Sequence, residues 1–220
     1  MIENFLGVNI SYPYNIFTES ELFFLYGVIS SINPQNIVEL GGGSQGICSS
    51  VFTKAQKNNP KAKLFSVDIL EMKKKSNNHF LLQKDINDVT PDDIHNEKID
   101  VVFFDSHGVI PQLNFYNKMV KYNLIDDDTL LILHDTNLFY EPITSMCINS
   151  NGHFGMFTEE GYAHQWVERN LVNYFKLKGY DVFSLSTKPE NHNENHPLLF
   201  GISVCKKFKV LNPISLVYPE

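Results

Sequence analysis

A chain of 220 residues fits one α/β domain with a single sizeable core better than it fits two domains. Asp and Glu number 25 against 18 Lys and Arg, and the resulting net charge of −7 excludes a general nucleic-acid backbone binder; the one dense basic cluster, Lys73-Lys74-Lys75, reads as a solvated face. The three cysteines, Cys48, Cys147 and Cys205, lack C-x-x-C spacing and no apolar run reaches membrane-spanning length, so a reduced cytoplasmic protein is expected, without disulfides, zinc, leader or membrane contact.

In chain order, residues 1–17 are aromatic and irregular, an arm that covers a site or a partner and makes a homodimer plausible. Thr18 and Glu21 have capping-box spacing, and Leu22, Leu25, Val28, Ile29 and Ile32 fall on one helical face that Pro34 ends. The apolar strand Ile37-Val38-Glu39-Leu40 then runs into Gly41-Gly42-Gly43-Ser44-Gln45-Gly46, with a helix from Ile47 to Lys57 beyond. Such a turn brings bare backbone up to a nucleotide-like ligand. Gly41, Gly43 and Gly46 match the dinucleotide pattern G-x-G-x-x-G, a weak signal on its own. Glu39 argues against a pyrophosphate there, because a carboxylate beside the turn repels phosphate and attracts a cationic ligand.

A second strand, Leu64 to Asp68, ends in a carboxylate where a ribose needs acceptors, and a third, His79 to Lys84, ends at Asp85-Ile86. Ile99 to Phe104 is almost wholly apolar, as in a central parallel strand, and leads to Asp105-Ser106-His107-Gly108 before a helix from Pro111 to Asn123. Asp126-Asp127-Asp128 reads as an exposed turn. Thr129 to Leu133 is another buried strand, ending in His134-Asp135-Thr136-Asn137. Residues Tyr140 to Glu160 read as a long Gly/Asn/Ser-rich substrate loop or lid, and Gly161 to Lys178 as an amphipathic helix. Tyr180 to Leu185 and Leu198 to Cys205 close the chain as an antiparallel pair around a polar loop, in which His192 and His196 are solvated; no role is assigned to His153. Alternating strands and helices predict a doubly wound, mostly parallel seven-stranded sheet with its ligand crevice outside the strands' carboxyl ends. Residues 18–206 form the single domain and 207–220 a tail.

Glu39-x-Gly41-x-Gly43 resembles the first motif of class I S-adenosylmethionine-dependent methyltransferases, with Gln45 where a third glycine is common. Phe104-Asp105-Ser106-His107 and His134-Asp135-Thr136 resemble motifs of metal-dependent small-molecule O-methyltransferases, the cephalosporin hydroxylase-like and macrolide sugar O-methyltransferase groups. The resemblance implies a Rossmann-like methyltransferase fold over Thr18 to Lys206 and methyl transfer from S-adenosylmethionine to a hydroxyl of a sugar or secondary-metabolite intermediate. It implies cofactor contacts from Glu39, Gly41, Gly43, Asp68 (ribose), Asp85 (adenine amino group), Ile86 (adenine ring) and Asp105. A divalent metal, magnesium for preference since hard cations want carboxylate oxygens, would sit on Asp105 and Asp135, with His134 or a water as third ligand. His107 is the first choice of general base and His134 its rival. A nicotinamide-dependent dehydrogenase and a non-catalytic binding protein on the same fold remain alternatives.

Overall fold

Apolar residues alternate between the two faces of the central strands, and each face is covered by helices. The computed structural model describes residues 5, 17–106, 108–136, 145–148, 154–158, 161–163, 167–187 and 200–208. Helix α1 (Glu19–Ile32) precedes strand β1 (Asn36–Leu40), and α2 (Ile47–Ala55) leads to β2 (Lys63–Asp68) and β3 (His79–Gln83). Then come β4 (Val101–Phe104), α3 (Val109–Lys121) and β5 (Leu130–Leu133). Three short strands follow, β6 (Ser145–Ile148), β7 (Phe154–Thr158) and β8 (Gly161–Ala163), before α4 (Val167–Leu177), β9 (Asp181–Thr187) and β10 (Phe200–Lys206).

The main sheet has the order β3-β2-β1-β4-β5-β10-β9, with the first five strands parallel and β10 antiparallel to both β5 and β9. On one face Ile37, Val101, Phe103 and Ile132 pack with Leu22, Leu25 and Ile29 of α1 and Val51 and Phe52 of α2. On the other, Val38, Leu40, Val102, Phe104, Leu131 and Leu133 pack with Phe115 and Met119 of α3 and Leu171 and Phe175 of α4. This period-two alternation between two apolar faces is what a doubly wound sheet requires. Full burial of each of these side chains contributes about 1.5–3 kcal/mol.

Chain order reverses at β1, between β2 on one side and β4 on the other, so the crevice expected for a ligand lies outside the carboxyl ends of β1 and β4. The capping box forms as read: Thr18 accepts from the Glu21 backbone, Glu21 accepts from Thr18, and Asn33 closes α1 in the left-handed conformation. Two expectations need correcting. The stretch 140–160 contains β6 and β7, which with β8 make a separate three-stranded antiparallel sheet. The helix expected from Gly161 begins at Val167, because Gly161–Ala163 pair with β7 instead. Most of the 1–17 arm, His153, the polar loop with His192 and His196, and most of the 207–220 tail lie outside the described residues.

Candidate active site

The turn after β1 is held by close packing. Gly41 (φ 92°) donates its N–H to the Val67 carbonyl at 2.9 Å and lies under the end of β4. Gly43 donates to Asp68 Oδ2 at 2.8 Å, while the other Asp68 oxygen accepts from the Leu70 N–H at 2.8 Å. Asp68 therefore ties the turn to the end of β2. Gly46 is the N-cap of α2 in the left-handed conformation, and Lys75 Nζ donates to the Gln45 carbonyl at 2.8 Å. Lys73 and Lys74 are exposed as expected; Lys75 is half-buried against the turn, which corrects its reading as a solvated residue.

Glu39 lies fully buried beneath this turn. Its Oε2 accepts the hydroxyls of Ser49 (2.5 Å), from α2, and of Ser66, from β2. Ser66 Oγ is in turn 2.8 Å from His79 Nε2, and His79 Nδ1 accepts the Lys75 N–H at 3.1 Å. With Nδ1 an acceptor, the imidazole carries its proton on Nε2 and donates to Ser66, which donates to Glu39. The polar chain thus runs in one direction, from β3 through β2 to β1. Burial raises the Glu39 carboxyl to about 7 against the opposing pull of Ser49 and Ser66, with Asp105 and Asp68 adding to the rise. Burial, with Lys75 and Lys74 nearby, lowers His79 to about 4. Glu39 Oε1 has no hydrogen-bond partner among the described residues.

Along the same rim, the Lys84 N–H bonds the Asp68 carbonyl at 3.0 Å, which places Asp85 beside the end of β2. Asp85 is exposed and caps a short 3₁₀ turn, accepting from the Asn87 N–H at 2.8 Å, and Ile86 is buried in the core on the α3/α4 face.

At the ends of β4 and β5, Asp105 Oδ1 is 3.0 Å and Asp135 Oδ1 3.5 Å from His134 Nδ1. One donor atom from each of the three residues lies within 4.8 Å of the other two, a spacing that fits one cation between them. His134 is buried, its ring stacked on Phe17 with centroids 4.0 Å apart, and its Nε2 stands 3.9 Å from Glu21 Oε1. The end of the N-terminal arm and the start of α1 therefore close over the imidazole. Burial works against charge on His134, but Asp135, Asp105 and Glu21 outweigh it and raise the ring to about 10. A ring held charged cannot accept a proton, which counts against His134 as the general base in the metal-free protein. His107 lies outside the described residues.

Asp135 itself adopts φ 52°, which turns the chain sharply after β5. Thr136 is then fixed by the Gly201 carbonyl (3.1 Å to its N–H) and by the Ser203 hydroxyl (2.8 Å). Arg169, from the first turn of α4, reaches the Thr136 carbonyl at 3.3 Å. A cleft of about 630 Å³ opens elsewhere, at the amino ends of the strands, lined by Ile32, Asp100, Leu130, Phe183 and Phe208. None of the site residues above contributes to it.

Sequence reasoning missed Phe17, Ser49, Ser66, Lys75 and His79 as parts of the site, and it took Glu21 only as a cap. Ser66 and His79 carry a signal after the fact, being polar residues inside otherwise apolar strands.

The strand order and the closing antiparallel hairpin are those of the class I S-adenosylmethionine-dependent methyltransferase fold. Among solved structures, the chain is similar to a cofactor-bound protein, Rv0187, from MTB, with a TM-score of 0.58 and 8% identity over 93% of this chain and 85% of that one. It is similar to the SAH-bound methyltransferase PaMTH1 of Podospora anserina, with a TM-score of 0.57 and 10% identity over 94% and 87% of the two chains. It also resembles an O-methyltransferase of Bacillus cereus in complex with SAH, with a TM-score of 0.54 and 11% identity over 94% and 87%. No protein-family model and no curated protein sequence matches the chain. Among the described residues, no helix is long and apolar enough to cross a membrane.

Proposed function

We propose that this protein is an O-methyltransferase that moves the methyl group of S-adenosylmethionine to a hydroxyl of a small molecule, a sugar or secondary-metabolite intermediate, assisted by a divalent cation. The observation that carries the reading is the contiguity of two features at one rim: the glycine turn over buried Glu39, and the Asp105–His134–Asp135 group, of which the Asp105 backbone lies against Gly41.

In this reading the cofactor lies along the turn. Glu39 Oε1, the oxygen that the two serines leave open, accepts from its ammonium group. Asp68 and Asp85, neighbours on the rim, take the ribose and the adenine amino group, and Ile86 borders the ring. Asp105, His134 and Asp135 hold the cation, which when bound lowers the pKa of a coordinated hydroxyl. His107 is the residue assigned to remove the proton. Methyl transfer needs little else from the protein than an acceptor held in line with the sulfonium and water kept out. The Phe17 ring over His134 serves that exclusion.

Calorimetric titration tests the cofactor: heat with S-adenosylmethionine and none with NAD is expected. The reverse result would reassign the chain to the dehydrogenases, and no heat from either would make it a non-catalytic binding protein. Label from methyl-labelled S-adenosylmethionine, followed into a panel of hydroxylated sugars and phenols, tests the reaction.

A further inference from the structure

The cation site of the preceding section has an imidazole among its three donors, and that choice of donor has consequences for the metal. We propose that Asp105, His134 and Asp135 select a transition-metal dication of the manganese, iron(II), cobalt or zinc kind over magnesium, with Glu21 as the positioning residue that holds His134 for it. The inference rests on reading this cluster as a cation site.

Magnesium demands near-octahedral oxygen coordination and keeps several of its waters, whereas imidazole nitrogen suits first-row transition metals. The chain offers nitrogen, not oxygen, between the two carboxylates: Nδ1 of His134 stands 3.0 Å from Asp105 and 3.5 Å from Asp135. The nearest hydroxyl on the same strand end, that of Thr136, faces the last strand and accepts from Ser203.

The ring is held in this pose from behind. Glu21 is fully buried, and its Oε2 accepts both the N–H (2.8 Å) and the hydroxyl (3.0 Å) of Thr18, so the carboxylate is fixed by the cap of α1. Its Oε1 stands 3.9 Å from Nε2 of His134. That distance is too long for a hydrogen bond, whereas Nδ1 at 3.0 Å donates to Asp105 in the metal-free protein, so a cation would bind by displacing that proton. With that proton gone, the Glu21 carboxylate favours the remaining one on Nε2, and the Nδ1 lone pair faces the two aspartates. Stacking on Phe17 at 4.0 Å fixes the plane of the ring. A carboxylate behind a ligating imidazole is how proteins orient such ligands and raise their basicity.

The test is calorimetry of cobalt(II) and of magnesium on protein stripped with a chelator, with the visible spectrum of bound cobalt as a second readout. Wild type should bind cobalt at least about 100-fold more tightly than magnesium. His134→Ala should cut that preference to about tenfold or less and alter the cobalt spectrum. Glu21→Gln should weaken cobalt binding about 10–100-fold, the range for partners behind a ligand, while magnesium affinity changes less. Equal affinity of wild type for the two metals overturns the proposal, as does an unchanged preference in His134→Ala. The wild-type comparison needs no variant to fold. S-adenosylmethionine heat measured on the same samples separates the two readings: its persistence without binding of either metal overturns the metal site alone, and its absence overturns the methyltransferase reading as well.

Discussion

A Cβ added to Gly41 would stand 2.4 Å from the carbonyl oxygen of Asp105. The glycine turn and the acidic strand end are thus in direct backbone contact, with no room for a side chain between them. Gly41→Ala, with φ at 92° and backbone as its obstacle, should destabilise by about 3 kcal/mol or more. Gly43→Ala, at φ 61° with open space around it, should cost about 1–2 kcal/mol. Urea unfolding of the two variants checks the ranking; equal losses would mean that the contact with Asp105 is not what the turn depends on.

Glu39 makes stability depend on pH in a definite direction. Its folded pKa is raised from 4.5 to about 7, so the stability it contributes is fully present below pH 4.5 and is lost as pH rises through about 7. At most about 3 kcal/mol is at stake. Glu39→Gln should remove this loss, so the variant gains on wild type between pH 5 and pH 8.5 in urea titrations. The groups that act on this carboxyl include Asp105, Asp68, Ser49 and Ser66, and all remain in the variant.

A cationic cofactor favours the ionised carboxylate, so binding should expel a proton from Glu39. Calorimetry of S-adenosylmethionine near pH 6.5, in two buffers of different ionisation enthalpy, should show net proton release, and affinity should rise as pH rises through about 7. A pH-independent affinity would remove Glu39 from the ligand's surroundings.

His79 titrates in the opposite sense. Its folded pKa is lowered from 6.5 to about 4, so the stability that goes with the neutral ring is present above pH 6.5 and is lost as pH falls toward 4. Wild type should weaken on the acid side more than His79→Gln does. The same variant should raise the KM for the cofactor more than it lowers kcat, because His79 reaches Glu39 only through Ser66.

Asp105→Asn and Asp135→Asn should each abolish turnover while leaving S-adenosylmethionine affinity within a few-fold. The contact of Gly41 is with the Asp105 carbonyl, which the substitution keeps, and Asn tolerates the left-handed backbone of position 135. Equal loss of cofactor binding would move these carboxylates from the acceptor to the cofactor.

The sheet was legible because its central strands are unbroken apolar runs bounded by turn residues, with Asp68, Asp105 and Asp135 at or just beyond their ends; Glu39, one residue inside β1, is buried beneath the turn. The helix α1 announced itself through Thr18 and Glu21. What sequence could not supply was distance across the chain, since the proximity of Glu21 to His134 or of His79 to Ser66 depends on how strands pair. The strands β6 to β8 were missed for a different reason. β6 and β7 are no shorter than β4 and β5, but Ser, Gly and Thr interrupt their apolar residues, so no buried run stands out, and Tyr162 and Ala163 of β8 suit a helix and a strand alike.

Ser203 bonds Thr136 on one side and Ser184 on the other, at 2.8 and 2.7 Å, so the last two strands splint the turn on which Asp135 stands. The closing hairpin is therefore more than a lid on the sheet's edge. Shifting its register by one residue would move the turn that carries His134 and Asp135 without altering either side chain.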